Sequence, residues 1–183
     1  MKKVAILAAV ASLLSASAFS YTYEYQPKES ITVGFSHSTV RFLGEKLDDN
    51  PMGFNLKYRK DFNSEYGLIT SFTYSGMNKT YTQGYLSGKL DLDYYSFTFG
   101  PTLRANEHFS VYGLLGAAHG KASADVWSLA GSASASDSET SIAYGAGLQI
   151  DVNENFTIDA SFEYSKLNEV KAGTWVIGAG YRF

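Results

Sequence analysis

Polar and apolar residues alternate with a period of two along most of the chain, most cleanly at the carboxy terminus. From Gly173 to Phe183 the odd positions carry Trp175, Ile177, Ala179, Tyr181 and Phe183, and the even ones Thr174, Val176, Gly178, Gly180 and Arg182. Side chains alternate faces along a strand, so one face is apolar with aromatics near both ends, and the other is small, polar or cationic. Upstream, Phe156, Ile158, Ala160, Phe162 and Tyr164 oppose Thr157, Asp159, Ser161, Glu163 and Ser165 in the same way. The pattern predicts further strands over about Ser30–Val40, Met52–Asp61, Tyr66–Ser75, Lys89–Arg104, Phe109–Ala122 and Glu139–Asp151. In Leu90–Tyr94 the parity inverts, which reads as a bulge or as strand standing above a membrane. Pro101 within a ladder is a mild warning.

So much apolar face has no covering layer, because every segment repeats the pattern. A closed barrel in a bilayer satisfies the backbone and turns those faces to lipid. The expected fold is all-β: an eight-stranded antiparallel transmembrane β-barrel. Polar connections at Arg41–Asn50, Gly76–Ser87 and Ala122–Ser138, with one around Leu167–Val170, alternate with tight ones at Phe62–Glu65, Ala105–His108 and Asn153–Asn155. Bacterial barrels pair short periplasmic turns with longer external loops, so both termini are expected in the periplasm. The rival fold is a soluble lipocalin-like barrel with its apolar face turned inward. A soluble surface would be rich in Lys, Glu and Asp, whereas the polar face here is dominated by Gly, Ser and Thr.

Composition sharpens this picture in three places. Seventeen Gly against three Pro, and 14 Tyr with 12 Phe, fit a tightly packed β protein with aromatic girdles. Without cysteine the chain uses neither disulfides nor thiolate metal sites. At the amino terminus, Lys2 and Lys3, an apolar run from Val4 to Leu14 and the small residues of SASAFS read as a cleaved signal peptide over residues 1–20. Cleavage after Ala18 or after Ser20 would both fit, and residues 21–183 are expected to form a single barrel domain. Losing two of the 15 basic residues leaves 13 against 18 acidic, so no basic footprint for nucleic acid is expected.

The inward faces carry Lys57, Arg59, Arg104, Asp151, Asp159, Glu163 and Arg182. Arg or Lys facing lipid at the midplane costs about 2–4 kcal/mol, so these charges belong inside, paired and fixing register. Their reading is structural; an ion or proton path is the sharper alternative. Chemistry is poorly provided for. His108 falls in a tight turn, His37 and His119 on different strands, and no serine elbow accompanies them, so an enzyme acting on lipid is the lesser alternative. A purely structural envelope barrel is another. No metal site or cofactor is expected: Asp91 and Asp93 share a face, which reads as a solvated edge. Eight strands leave no aqueous channel.

Two stretches carry a resemblance. GFNLKYRKD, Gly53–Asp61, and WVIGAGYRF, Trp175–Phe183, are similar to the two signatures of the OmpX/Ail/PagC/Lom family of enterobacterial outer-membrane proteins. VYGLLG, Val111–Gly116, and YGAGLQ, Tyr144–Gln149, resemble its intervening strands. Members usually have Tyr-Glu where this chain has Lys60 and Asp61; Lys60 falls at the periplasmic rim, where its ammonium can snorkel to water. The resemblance implies strands that protrude beyond the external surface and loops that engage host surfaces or serum and defence proteins, in adhesion, invasion, serum resistance, stress or virulence. It also implies a carboxy-terminal signal, Trp175, Tyr181 and Phe183, read by the barrel-assembly machinery. Outer-membrane lipid and lipopolysaccharide are the expected surroundings, and a monomer the expected state. An open strand edge on the protruding sheet is the first expectation for binding, with Tyr81, Tyr85 and Trp127 as candidate external contacts. The loops and rims carry seven basic side chains against nine acidic, so a dedicated heparin surface is not expected.

Overall fold

The structure, a computed structural model, describes residues 28–42, 45–46, 50–83, 86–128, 131–167 and 170–183. The expected signal peptide and Tyr85 lie outside the described residues. Eight strands follow in chain order: β1 (Glu29–Phe42), β2 (Met52–Asp61), β3 (Tyr66–Gln83), β4 (Leu86–Arg104), β5 (Phe109–Ser128), β6 (Gly131–Asp151), β7 (Phe156–Leu167) and β8 (Val170–Arg182). Each pairs antiparallel with the next, and β1 closes on β8. Glu45 and Lys46 form a further two-residue strand that pairs antiparallel with Arg41 and Phe42 at the end of β1. Following register partners from Ile31 leads through Tyr58, Thr70, Phe99, Leu115, Tyr144, Tyr164 and Gly173 to Thr39, eight residues further along β1. Eight strands with that stagger tilt by about 35–45° and enclose an interior that side chains fill.

The faces point as the alternation requires. Ile177 is 68% exposed and Trp175 59%, whereas Asn55 and Asp159 are fully buried. A barrel built for water would reverse that contrast. The interior is not uniformly polar: Ile69, Tyr112 and Leu114 form an apolar layer inside it. A second layer, of Tyr94, Ala118, Ala143, Leu167 and Ala172, packs inside nearer the end away from the tight turns. Gly147 makes room for this filling, since a Cβ there would lie 2.4 Å from the Tyr112 phenol.

The three tight turns share one device. Asn63 Oδ1 accepts from the amides of Glu65 and Tyr66 at 2.9 and 2.7 Å. Asn106 does the same for His108 and Phe109, and Asn153 for Asn155 and Phe156. A short side-chain amide thus replaces the backbone acceptors that a four-residue reversal lacks.

Several boundaries differ from the sequence expectation. Gly76–Ser87 and Ala122–Ser138, read as polar loops, are mostly ladder: β3 and β4 pair out to Gln83 and Leu86, and β5 and β6 to Ser128 and Gly131. Polarity on both faces mimics a loop, but a strand wetted on both sides shows the same composition. The inverted parity of Leu90–Tyr94 is not a bulge, because β4 keeps a single register with β3 throughout. It is strand beyond the lipid-facing band, where the former inner face carries Leu90 and Leu92 and the outer face Lys89, Asp91 and Asp93. At Pro101 the β4–β5 ladder skips two pairs, as the missing amide requires.

Candidate functional site

Most residues singled out by the sequence fall in two regions: the barrel interior and the sheet that projects from one end. In the interior, alternate residues of β2, β4, β6, β7 and β8 bring the charges together. Lys57 pairs with Asp159, donates to Ser161 Oγ at 2.9 Å, and lies 5.7 Å from the centre of the Tyr112 ring. Tyr112 donates to the other oxygen of Asp159 at 2.7 Å. Glu163 accepts from Tyr94 at 2.7 Å, and Ser165 donates to the same phenol oxygen at 3.2 Å.

Nearer the turns, Arg59, Arg104 and Arg182 converge on two carboxylates. Asp151 Oδ2 accepts from Arg182 at 2.6 Å and from Arg104 at 3.1 Å. The other carboxylate is Asp61, which the sequence reading left out. It holds Arg59 at 2.6 Å, Arg104 at 2.8 Å and Arg182 at 3.7 Å. Asp61 shares the parity of Lys57 and Arg59, and without it four inward cations faced only three anions. That imbalance was the signal that could have found it. At the same rim, Lys60 is half-exposed and its ammonium donates to Glu29 at 2.8 Å.

The projecting sheet is formed by β3 to β6. Pairing of β2 with β3 stops at Met52 opposite Gly76, and pairing of β6 with β7 begins only at Ala143 opposite Ser165. Among the described residues, no strand pairs with the outer side of residues 131–142 of β6. The β6 edge reads GSASASDSETSI, small and polar along its length. On the face continuous with the lipid-facing band, Lys89 donates to Asp91 at 2.8 Å, which holds its ammonium above the ordinary lysine range. The Tyr74 phenol donates to Asp93 at 2.9 Å.

Trp127 lies near the tip of β5, half-exposed, opposite Ser87 and Ser132. Tyr81 lies on β3 opposite Gly88, two strands away from the strand of Trp127. His119 Nδ1 is 2.9 Å from Thr140 Oγ1, His108 is exposed in its turn, and His37 sits opposite Trp175. These histidines do not converge. Trp175, Tyr181 and Phe183 face outward, with Tyr181 and Phe183 stacked at 6.4 Å.

Comparison with known proteins agrees with this geometry. The family described as "Outer membrane protein beta-barrel domain" matches residues 6–183. The attachment invasion locus protein of Yersinia pseudotuberculosis is 51% identical over 177 residues, covering 95% of each chain. Outer membrane protein X of Escherichia coli is 36% identical over 184 residues, covering the whole of both. Among solved structures, Ail, the attachment invasion locus protein of Yersinia pestis, in complex with the heparin analogue sucrose octasulfate, is similar at 52% identity and a TM-score of 0.78. That match covers 87% of this chain and all of the other.

Proposed function

The chain belongs to the outer-membrane β-barrel family of the attachment invasion locus proteins and outer membrane protein X, and on that premise we propose that it presents its projecting sheet to host surfaces or serum proteins. The barrel is the anchor, held in the outer membrane by its apolar band. The tight turns and both ends of the mature chain face the periplasm, after removal of residues 1–20, and β3 to β6 project outward. The carrying observation is the β6 edge from residue 131 to 142, whose outward main-chain groups have no strand beside them among the described residues. Such an edge accepts an extended segment of another protein through main-chain hydrogen bonds, with little demand on its sequence.

The charged interior supports this role indirectly. Its pairs hold register, and two apolar layers fill the lumen, so the barrel works as a rigid mount rather than a conduit. Polyanion binding is the second reading, favoured by the heparin analogue held by the Yersinia pestis relative. In this chain Lys89 is already occupied by Asp91, which favours the strand edge.

Deleting Asp125–Ser138 tests the proposal. The deletion joins Ala124 to Glu139, and Gly120 still faces Glu139, so a shortened hairpin can close over residues 121–124. The expected result is an intact barrel with heat-modifiable mobility that has lost attachment to cultured cells. Unchanged attachment sinks the edge reading. Attachment of the undeleted protein that soluble heparin abolishes would move the contact to a polyanion site.

A further inference from the structure

The lipid-facing wall is unevenly filled. Gly113, Ala146, Phe162 and Trp175 are register partners in one row across β5 to β8, and Val111, Leu148, Ala160 and Ile177 in the next row toward the turns. Between them lies a groove of ≈ 740 Å³ with an apolar lining. Gly113, Ala146 and Ala160 form its floor. Phe162 and Trp175, ring centres 4.8 Å apart, wall one side, and it reaches Tyr66 and Phe109 beside the tight turns. Gly113 is not demanded by the packing of the barrel. A Cβ added there meets no atom within 4 Å, whereas one at Gly100 or Gly116 would lie 1.9 or 2.0 Å from a carbonyl oxygen of the adjacent strand.

We propose that this groove seats one acyl chain of a glycerophospholipid whose headgroup lies at the turn rim. The groove opens in the band that bilayer hydrocarbon covers, so an alkyl chain is the partner already present there at solvent concentration. On the flat parts of the band a chain touches protein on one side. In the groove it touches a floor and a wall, and the added dispersion contacts hold it longer than its neighbours. The floor runs toward Tyr66 and Phe109, which sets the headgroup at that end. With the turns in the periplasm, as proposed above, the lipid comes from the inner leaflet and is phospholipid rather than lipopolysaccharide.

The test is native mass spectrometry of the full mature chain, extracted from outer membranes in mild detergent, beside the groove-filling variant Gly113→Leu/Ala160→Leu. The expected result is a one-to-one phospholipid adduct on the unsubstituted protein that falls by roughly tenfold in the variant, as the loss of about 1.4 kcal/mol would produce. No adduct, or an equal adduct in both, overturns the proposal. A lipopolysaccharide adduct displaced by the same variant overturns the choice of leaflet and, with it, the orientation of the turns, while the seat itself stands. A dimer in place of the adduct overturns the acyl-chain occupant. Should the variant not fold, Trp175 in the unsubstituted protein gives a second readout. Phospholipid brominated along its acyl chain, at a low fraction of total lipid, should quench Trp175 beyond what random mixing delivers, and quenching at the random level overturns the seat.

Discussion

Asp61 shows most directly how single residues hold this protein together. It is 3% exposed and bonded to Arg59 and Arg104, with Arg182 close by. Asp61→Ala leaves three guanidinium groups to one carboxylate. Removing one partner of a buried ion pair strands the other charge, so a loss of about 3–5 kcal/mol is expected in urea unfolding from phospholipid vesicles. On the outer wall the rule inverts. Ile177 lies within the lipid-facing band between Trp175 and Tyr181. Ile177→Lys should cost about 2–4 kcal/mol in the same assay, the cost of a cation facing hydrocarbon. Both effects could be anticipated from parity and charge alone, although Asp61 was passed over because it ends its strand.

At the scale of the elements, the turns and the long strands answer to different physics. Each tight turn depends on one asparagine whose carbonyl accepts two amides. Asn63→Ala, Asn106→Ala and Asn153→Ala should each cost about 0.5–1.5 kcal/mol per lost bond at most, less where water replaces the acceptor, with the barrel still forming. Equilibrium unfolding of the three single variants and the triple variant checks this, and the turns lie far enough apart for the effects to add. The repeat was present in the sequence as Asn followed three residues later by an aromatic at all three turns, Tyr66, Phe109 and Phe156. The full length of β3 to β6 was not legible in the same way. Above the membrane, alternation loses its contrast because both faces meet water, and a polar strand then looks like a polar loop.

For the molecule as a whole, closure is the decisive feature. Phe183 joins β8 to β1 through two main-chain bonds with Glu29, both 2.9 Å, while its ring faces outward. We expect deletion of Phe183 to leave refolding in detergent intact, read as heat-modifiable mobility, but to reduce insertion into the outer membrane of cells several-fold. Equal insertion would show that the terminal aromatic serves packing alone. The separation follows from two roles: the backbone of Phe183 completes a ladder whose end water can partly satisfy, and we propose that its side chain is read by the assembly machinery.

The sequence by itself determined which side chains face lipid and which face the lumen, because a strand has only two faces and a one-residue slip would swing Lys57, Arg59, Asp159 and Glu163 into hydrocarbon. With the spacing of the turns, that made eight strands and a barrel readable before any coordinates. Only the tertiary structure decided which charges meet. Arg59 and Asp61 are neighbours in the chain, but Arg104, Asp151 and Arg182 reach them through a stagger of eight around the ring, which no local pattern encodes. It also decided where the sheet outgrows the barrel: among the described residues β7 ends at Leu167 and pairs with β6 only up to Ala143, while β6 begins at Gly131.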